Sequence, residues 1–319
     1  MSVWTGHVVV TGRGMLTPLG ATARASTDAW QEGGRATRRT LSELAGTSIA
    51  DAKVASLPEV NASARLGNRR MLKFMSDASV LGCIAAKEAS AEAMISERFR
   101  PERIGLYAGA GLAAANVDEV SEMIEASIDE NGEFSCNLLG EAGLHVASPL
   151  LSFKILPNIP ACLISILECI RGPSLLFTPW EGQTAAALLE AWQAVADGEV
   201  DCALAGASDN ATHPATYIHL KQARLLQDGE IPAPGAAYLV FEREETAVRD
   251  GQHIYARIKR MELLQTDLGT CDPLAERMGR SFAAAPAILM ALACETREKE
   301  IMIRGVDRQE FRAVLEEPE

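Results

Sequence analysis

Apolar and polar positions along this chain alternate between two rhythms. Short β-branched or small-residue runs, such as His7-Val-Val-Val-Thr-Gly12 and Arg103-Ile-Gly-Leu-Tyr-Ala-Gly-Ala-Gly111, predict buried strands. Longer Ala- and Leu-rich stretches predict helices over 21–33, 69–93, 158–171 and 279–294. A helix over 184–196 is apolar nearly all round, which places it in the middle of a layered protein. Strands are also expected at 174–178, in a short run closing the stretch that ends at Asn210, and at 234–242 and 253–264, with a closing hairpin formed by 300–304 and 311–315 around Gly305 and Asp307. The 117–129 stretch reads as an acidic amphipathic helix with a solvated face. Segment 35–68 reads as irregular and polar, as does the region holding His213 and His219. The alternation of strands with buried helices predicts an α/β fold of layered sheets.

Composition narrows the function. The chain has 319 residues, 48% of them hydrophobic and only 5% aromatic, enough for a sizeable core. A net charge of -13 argues against a general nucleic-acid role. It is also a poor match to an acidic carrier protein, which would need a local basic patch or a neighbouring subunit. No leader-like pattern stands at Met1 to Gly6, and no apolar run reaches a membrane span. A cytoplasmic protein is expected. The seven scattered cysteines contain no C-x-x-C and read as reduced, mostly buried thiols. The five histidines show no ligand spacing, so neither a metal nor a cofactor is expected. The G-x-G of Gly12-Arg13-Gly14 reads as a loop after the first strand. It lacks the third glycine and the helix register of a dinucleotide site.

The informative stretch is 158–210: helix, turn, short strand, second turn, apolar helix, strand. Its second turn, Thr178-Pro179-Trp180-Glu181-Gly182, is a strand-to-helix corner. Such corners suit nucleophiles, because a helix N-terminus favours negative charge. This one carries none.

The chain resembles the β-ketoacyl synthase family of the thiolase fold. Val8-Val-Val-Thr-Gly-Arg-Gly-Met-Leu-Thr-Pro-Leu-Gly20 is similar to the opening strand and loop of that family. Residues 103–111 resemble its third strand, and Arg171-Gly172-Pro173-Ser174 the turn before its active-site strand. Asp197-Gly-Glu-Val-Asp201, Ala205-Gly206 and residues 234–242 resemble the elements that follow, with Pro234 at an acidic position. The resemblance implies a thiolase-like α-β-α-β-α layered fold with a truncated C-terminal half. Residues 1–245 would form the N-terminal half and 246–319 the reduced second half, in one compact unit.

The same resemblance puts the acyl-carrying cysteine at Glu181, with Pro179 and Trp180 replacing small residues. Gly279-Arg280-Ser281-Phe282-Ala283-Ala284 is similar to the first histidine motif, with Arg280 at the histidine. The second histidine motif is absent, together with the segment normally found between Asp272 and Met278. Three catalytic groups are thereby replaced or missing. Arg280 is expected to pair with Glu181. Glu181 itself reads either as a cap or buried partner in a filled site, or as an acid/base group.

The implied role is that of a chain-length factor, the non-catalytic partner of a ketosynthase in type II polyketide systems. Typical partners carry Gln at the cysteine position and keep nearly full length. Glu181 and the reduced second half point instead to the shortened partners of aryl-polyene and highly reducing polyene systems. Expected partners are a catalytic ketosynthase, as a heterodimer, and an acyl carrier protein reached through that complex. The expected interface is the strand Ser174, Leu175, Leu176, Phe177, Thr178. The expected tunnel or gate residues are Leu112, Leu150, Leu151, Phe153 and Trp180, for which ordinary core packing is the plainer account. Two alternatives stand beside this role. One is a thioester decarboxylase or hydrolase using Glu181. The other is a stand-alone homodimer that holds acyl chains. Cys162 and Cys169 read as core thiols, and a relocated nucleophile there is the less common alternative.

Overall fold

The computed structural model describes residues 6–112, 115, 117–296 and 299–318. Residues 1–5, most of the stretch inspected for a leader, lie outside them. In chain order the strands are β1 (Val8–Leu16), β2 (Arg38–Thr40), β3 (Lys53–Ala55), β4 (Ile104–Ala110), β5 (Ser174–Phe177), β6 (Cys202–Asn210), β7 (Pro234–Arg243), β8 (Ala256–Gln265), β9 (Glu300–Arg304) and β10 (Gln309–Glu316). The helices used below are α1 (Ala23–Gln31), α2 (Asp77–Glu92), α3 (Val117–Glu125), α4 (Ile159–Leu167), α5 (Glu181–Asp197), α6 (Pro214–Gln222) and α7 (Ala285–Ala293). Among the described residues, no helix is long and apolar enough to cross a membrane.

Eight strands form one mixed sheet in the order β5-β4-β6-β7-β1-β8-β10-β9. The β5–β4 and β4–β6 pairings are parallel, and the remaining pairings are antiparallel. A repeat is visible in this order. Strands β1, β7 and β6 stand as first, last and penultimate of one set; β8, β10 and β9 stand the same way in the other. A buried helix precedes each penultimate strand, α5 before β6 and α7 before β9. Among the described residues the second set has no counterparts of β4 and β5, and β9 ends the sheet. This mixed α/β architecture is the layered fold the sequence predicts.

The core lies on both faces of the first five strands. On one face, α2 packs against β1, β6 and β7, with α4 behind it. On the other, α5 and α7 fill the space between the first strands and β8, β10 and β9. The expected all-round burial of the central helix holds for most of α5, but Glu190, Gln193 and Asp197 form a narrow exposed stripe. They recur at helical spacing toward the C-terminal end of the helix.

Strand β1 runs on to Leu16, through the Gly-x-Gly that the sequence reads as a loop. Helix α2 is the reason. A Cβ at Gly14 would lie 1.9 Å from the Ala85 carbonyl oxygen, and one at Gly12 would lie 2.4 Å from that of Ala89. The glycines admit the helix backbone; they do not turn the chain. Pairing of β1 with β8 covers only Val8 to Val10. Beyond it, the Arg13 N–H donates to Glu92 Oε2 (2.6 Å) and the Met15 N–H to Glu88 Oε2 (3.2 Å). Helix carboxylates thus satisfy buried strand donors.

Segment 35–68, expected to be irregular, contains the β2–β3 hairpin, which encloses a small cluster of Leu41, Leu44, Ala52, Val54 and Tyr217. The histidine region is likewise ordered: His213 precedes α6 and His219 lies on it. The cysteines divide more evenly than expected. Cys83, Cys202 and Cys294 are buried, Cys271 is intermediate, and Cys136, Cys162 and Cys169 are exposed. Cys162 is on the outer face of α4, and Cys169 sits in a left-handed turn just after it (φ 54°), so neither is a core thiol.

Candidate functional site

Strand β5 delivers the chain through Thr178, Pro179 and Trp180 to the start of α5, where Glu181 is the first helical residue. The corner lies beyond the C-terminal end of a parallel strand, a usual place for chemistry in α/β sheets. Here it is closed. Glu181 and Arg280 are both 0% exposed. Arg280 Nη2 donates to Glu181 Oε1, and the Val306 N–H donates to Glu181 Oε2 at 3.3 Å.

The lid is the turn between β9 and β10. A Cβ on Gly305 would come within 3.0 Å of Glu181 Cβ, and one on Gly182 within 2.2 Å of Gln309 Cβ. Two glycines therefore allow the turn to lie directly on the helix N-terminus. Asp307 Oδ2 accepts from the Gln183 N–H at 2.9 Å and caps that end of α5. On the other side Trp180 packs edge-on to Phe282 (centroids 5.9 Å) and stacks on His219 (6.4 Å). The sequence reading left His219 away from the corner, yet its ring closes one wall.

Arg280 gathers more acid than its own charge can offset. Its Nη1 donates to the Leu225 carbonyl oxygen (3.2 Å) and to Glu230 Oε2 (3.4 Å). Its Nε stands 3.9 Å from Asp272 Oδ2, and the Phe282 ring lies 4.5 Å from its guanidinium carbon. Asp209, at the end of β6, accepts from the Ala283 N–H at 3.2 Å. Burial pushes the Glu181 carboxyl up, against the pull of Arg280 and the Val306 N–H. Burial likewise raises Asp272 to about 7, with Arg280 and the Leu274 N–H opposing and Glu181 adding to the rise. Asp209 is raised well above the carboxylate range by burial, with Glu181 adding to it. For Arg280, desolvation is outweighed by Glu181, Asp272 and Glu230, and its pKa is raised. Within the corner Arg280 is the counter-charge to Glu181, while Asp209 has only backbone N–H groups set against the cost of burial.

Asp209, Glu230, Asp272 and Asp307 went unremarked as site residues in the sequence. The one available signal was Asp209, an acid ending a strand of small residues. The others reach the corner from separate loops, which no spacing reveals.

The five expected tunnel residues are not brought together. Leu112 borders a cavity of about 20 Å3 with Lys154, Leu156, Pro157, Pro160 and His213. Leu150 precedes the short helix Leu151–Ile155, outside that lining, and Phe153 packs on Phe74 (5.4 Å). Trp180 belongs to a separate cluster with Leu220, Phe282 and Val306. The expected interface strand, in contrast, is a sheet edge. Among the described residues β5 pairs only with β4; Ser174 and Leu175 are exposed, and Leu176, Phe177 and Thr178 are half-buried. Exposed Leu144, Val146, Ile155, Leu156 and Ile166 belong to the 117–172 region leading into it. Among the described residues, no group of three or more His, Cys, Asp or Glu could hold a metal ion.

Residues 5–244 match the family described as Beta-ketoacyl synthase, N-terminal domain. Among curated relatives, nodulation protein E of Rhizobium meliloti (strain 1021) is 29% identical over 79% of this chain and 61% of its own length. Granaticin polyketide putative beta-ketoacyl synthase 1 of Streptomyces violaceoruber is 25% identical over 80% and 62%. The chain thus spans about three fifths of these relatives. Among solved structures, a type II PKS acyl-carrier protein in complex with its ketosynthase bound to the hexaketide aligns with a TM-score of 0.77 at 15% identity, covering 98% of this chain and 100% of the other. The ishigamide ketosynthase/chain length factor aligns with a TM-score of 0.75 at 15% identity, again over 98% and 100%. At such identity these two speak for the fold alone.

Proposed function

Because the chain belongs to the β-ketoacyl synthase family, we propose that it is the non-catalytic, chain-length-factor-like member of a ketosynthase pair, shortened as in aryl-polyene systems. The observation that carries this is the Glu181–Arg280 ion pair. It occupies the positions where the resemblance puts the acyl-carrying cysteine and a histidine. A carboxylate held by a guanidinium and shielded from solvent has no open path to a substrate. The same burial weighs against a decarboxylase or hydrolase built on Glu181.

Docking would use the free edge of β5. An unpaired edge carrying Leu175, with further exposed apolar side chains in the preceding region, is what a sheet-extending partner requires. The partner ketosynthase would supply the catalytic groups and the approach of the acyl carrier protein. This subunit would supply a wall. The cavity beside Leu112, about 20 Å3, is too small to admit an acyl chain, so a growing chain in the partner would stop against it. Such a carrier-dependent pair would work in the cytoplasm.

Co-expression with the neighbouring catalytic ketosynthase, followed by gel filtration, tests it. A stable one-to-one complex is expected. A homodimer that ignores the ketosynthase would overturn the reading and favour a stand-alone acyl-binding protein.

A further inference from the structure

Where α1 leads into β2, against the short helix Ala275–Met278, the surface holds a hollow of about 140 Å3. Backbone bonds fix its walls. The Ala36 N–H donates to the Arg277 carbonyl oxygen (2.7 Å), and the Ala55 N–H donates to that of Pro232 (2.9 Å). A space of this size takes a group no larger than a single six-membered ring, about 150 Å3, and is well short of the roughly 300 Å3 of a drug-sized site.

The lining carries three arginines, Arg35, Arg38 and Arg277, and one carboxylate, Glu276. Glu276 is already taken. Arg35 Nη2 donates to its Oε1 at 2.7 Å, and Arg35 Nη1 to its carbonyl oxygen at 3.3 Å. Arg277 is half-buried. Its Nε donates to the Gly34 carbonyl oxygen (3.0 Å), its Nη2 to those of Ala29 (3.4 Å) and Trp30, and the Trp30 ring lies 3.8 Å from its guanidinium carbon. These partners are uncharged. They orient the guanidinium without cancelling its charge, and its Nη1 makes no hydrogen bond among the described residues. Burial lowers the Arg277 pKa and the Arg35 charge lowers it further, with Glu276 opposing both. Arg38 is exposed, and among the described residues its side chain makes no hydrogen bond or ion pair. Arg38 and Arg277 thus lack a counter-charge, in a chain whose net charge is -13. Side chains alternate along β2, and Arg39 lines a different cavity, with Leu57 and Val60.

We propose that this hollow holds a phosphoryl group, bound between the guanidinium groups of Arg38 and Arg277. Near neutral pH such a group carries about two negative charges and three acceptor oxygens, so it balances both free cations at once. A guanidinium meets two of those oxygens with parallel hydrogen bonds. A carboxylate, with one charge, would leave one cation unbalanced. The lining shares no residue with the cavity beside Leu112, and the proposal does not rest on the pairing with a ketosynthase.

Calorimetric titration of the full chain with inorganic phosphate, at an ionic strength held constant with sodium chloride, tests the proposal. Saturable one-to-one binding is expected. Arg38→Ala should weaken it about tenfold, the scale of a lost charge-assisted hydrogen bond. Arg39→Ala removes the same charge from the neighbouring position that faces the other cavity, and should leave the affinity unchanged. Glu276→Gln releases Arg35 from its ion pair and should tighten binding. All three positions are exposed, so the variants should melt with the unaltered protein. Glycerol 3-phosphate, titrated in parallel, separates the two sources of the group. Equal affinity assigns the site to a phosphoryl group carried by a larger molecule, and weaker binding assigns it to free phosphate. Four results would overturn the proposal: no saturable binding of phosphate, equal weakening by Arg38→Ala and Arg39→Ala, weaker binding with Glu276→Gln, or acetate binding as tightly as phosphate.

Discussion

Arg280 Nη2 donates directly to Glu181 Oε1, with both side chains cut off from solvent. Ninety-nine positions separate them in the sequence. The contact ties the start of the central helix α5 to the segment that leads into α7. It also fills the corner where the family resemblance would put a nucleophile. An ion pair of this kind is weak evidence for stability, but losing one partner is costly.

Truncating one partner of this pair strands a buried charge. Arg280→Ala should destabilise the protein by about 3–5 kcal/mol. The double variant Glu181→Gln/Arg280→Met still takes Arg280 from Asp272 and Glu230 but strands no charge on Glu181, and should lose less. Urea denaturation of both variants measures the difference. Equal losses would show that the charges are not coupled.

Asp272 predicts a pH dependence. Its folded pKa is raised to about 7, above an unfolded value of about 3.9. The folded state then holds a proton that the unfolded state releases. Stability from this group is fully present below about pH 4 and is lost as pH rises through 7. Asn in its place mimics the protonated form, so Asp272→Asn should gain melting temperature relative to the unaltered protein between pH 5 and pH 8. Parallel melting curves across that window would contradict the assignment.

Gly14 is required by contact. A methyl group there meets the Ala85 carbonyl at 1.9 Å, so Gly14→Ala should push α2 off the sheet and cost several kcal/mol. Gly269, with nothing within 4 Å of its added Cβ, is the control. Gly269→Ala should stay within about 0.5 kcal/mol. Chemical denaturation compares the two.

Leu175 is 45% exposed on the β5 edge. Leu175→Lys should leave the melting temperature of the isolated chain unchanged within about a degree, since surface changes rarely move stability. It should abolish co-elution with a catalytic ketosynthase, because an edge lysine blocks strand pairing. A complex that forms regardless would move the interface elsewhere.

The fold was legible where burial repeats at a regular interval. Strands β4, β6 and β7 and the helices around Ala85 and Ala191 follow directly from runs of small and β-branched residues. The misreadings have physical causes. Gly12 and Gly14 look like turn residues, but here the missing side chain serves close helix approach. Strands β2 and β3 have three residues each, and all of β2 is exposed, so no period could form. The Glu181–Arg280 pair was foreseeable from the family resemblance. Glu230 and Asp272 were not, because their effect on Arg280 exists only once two separate loops converge on it. Leu112 and Trp180, which look equivalent as isolated apolar positions, fall into separate clusters in the fold.

The central claim is that this chain works through a partner and not through its own corner. The most direct test is an elongation assay with malonyl-loaded carrier protein, run on the ketosynthase alone, on this chain alone, and on the two together. The account predicts products only from the pair, unchanged by Glu181→Gln in this chain and abolished by replacing the partner's nucleophile. Turnover by this chain alone that Glu181→Gln removes, or a ketosynthase equally active without it, would contradict the account.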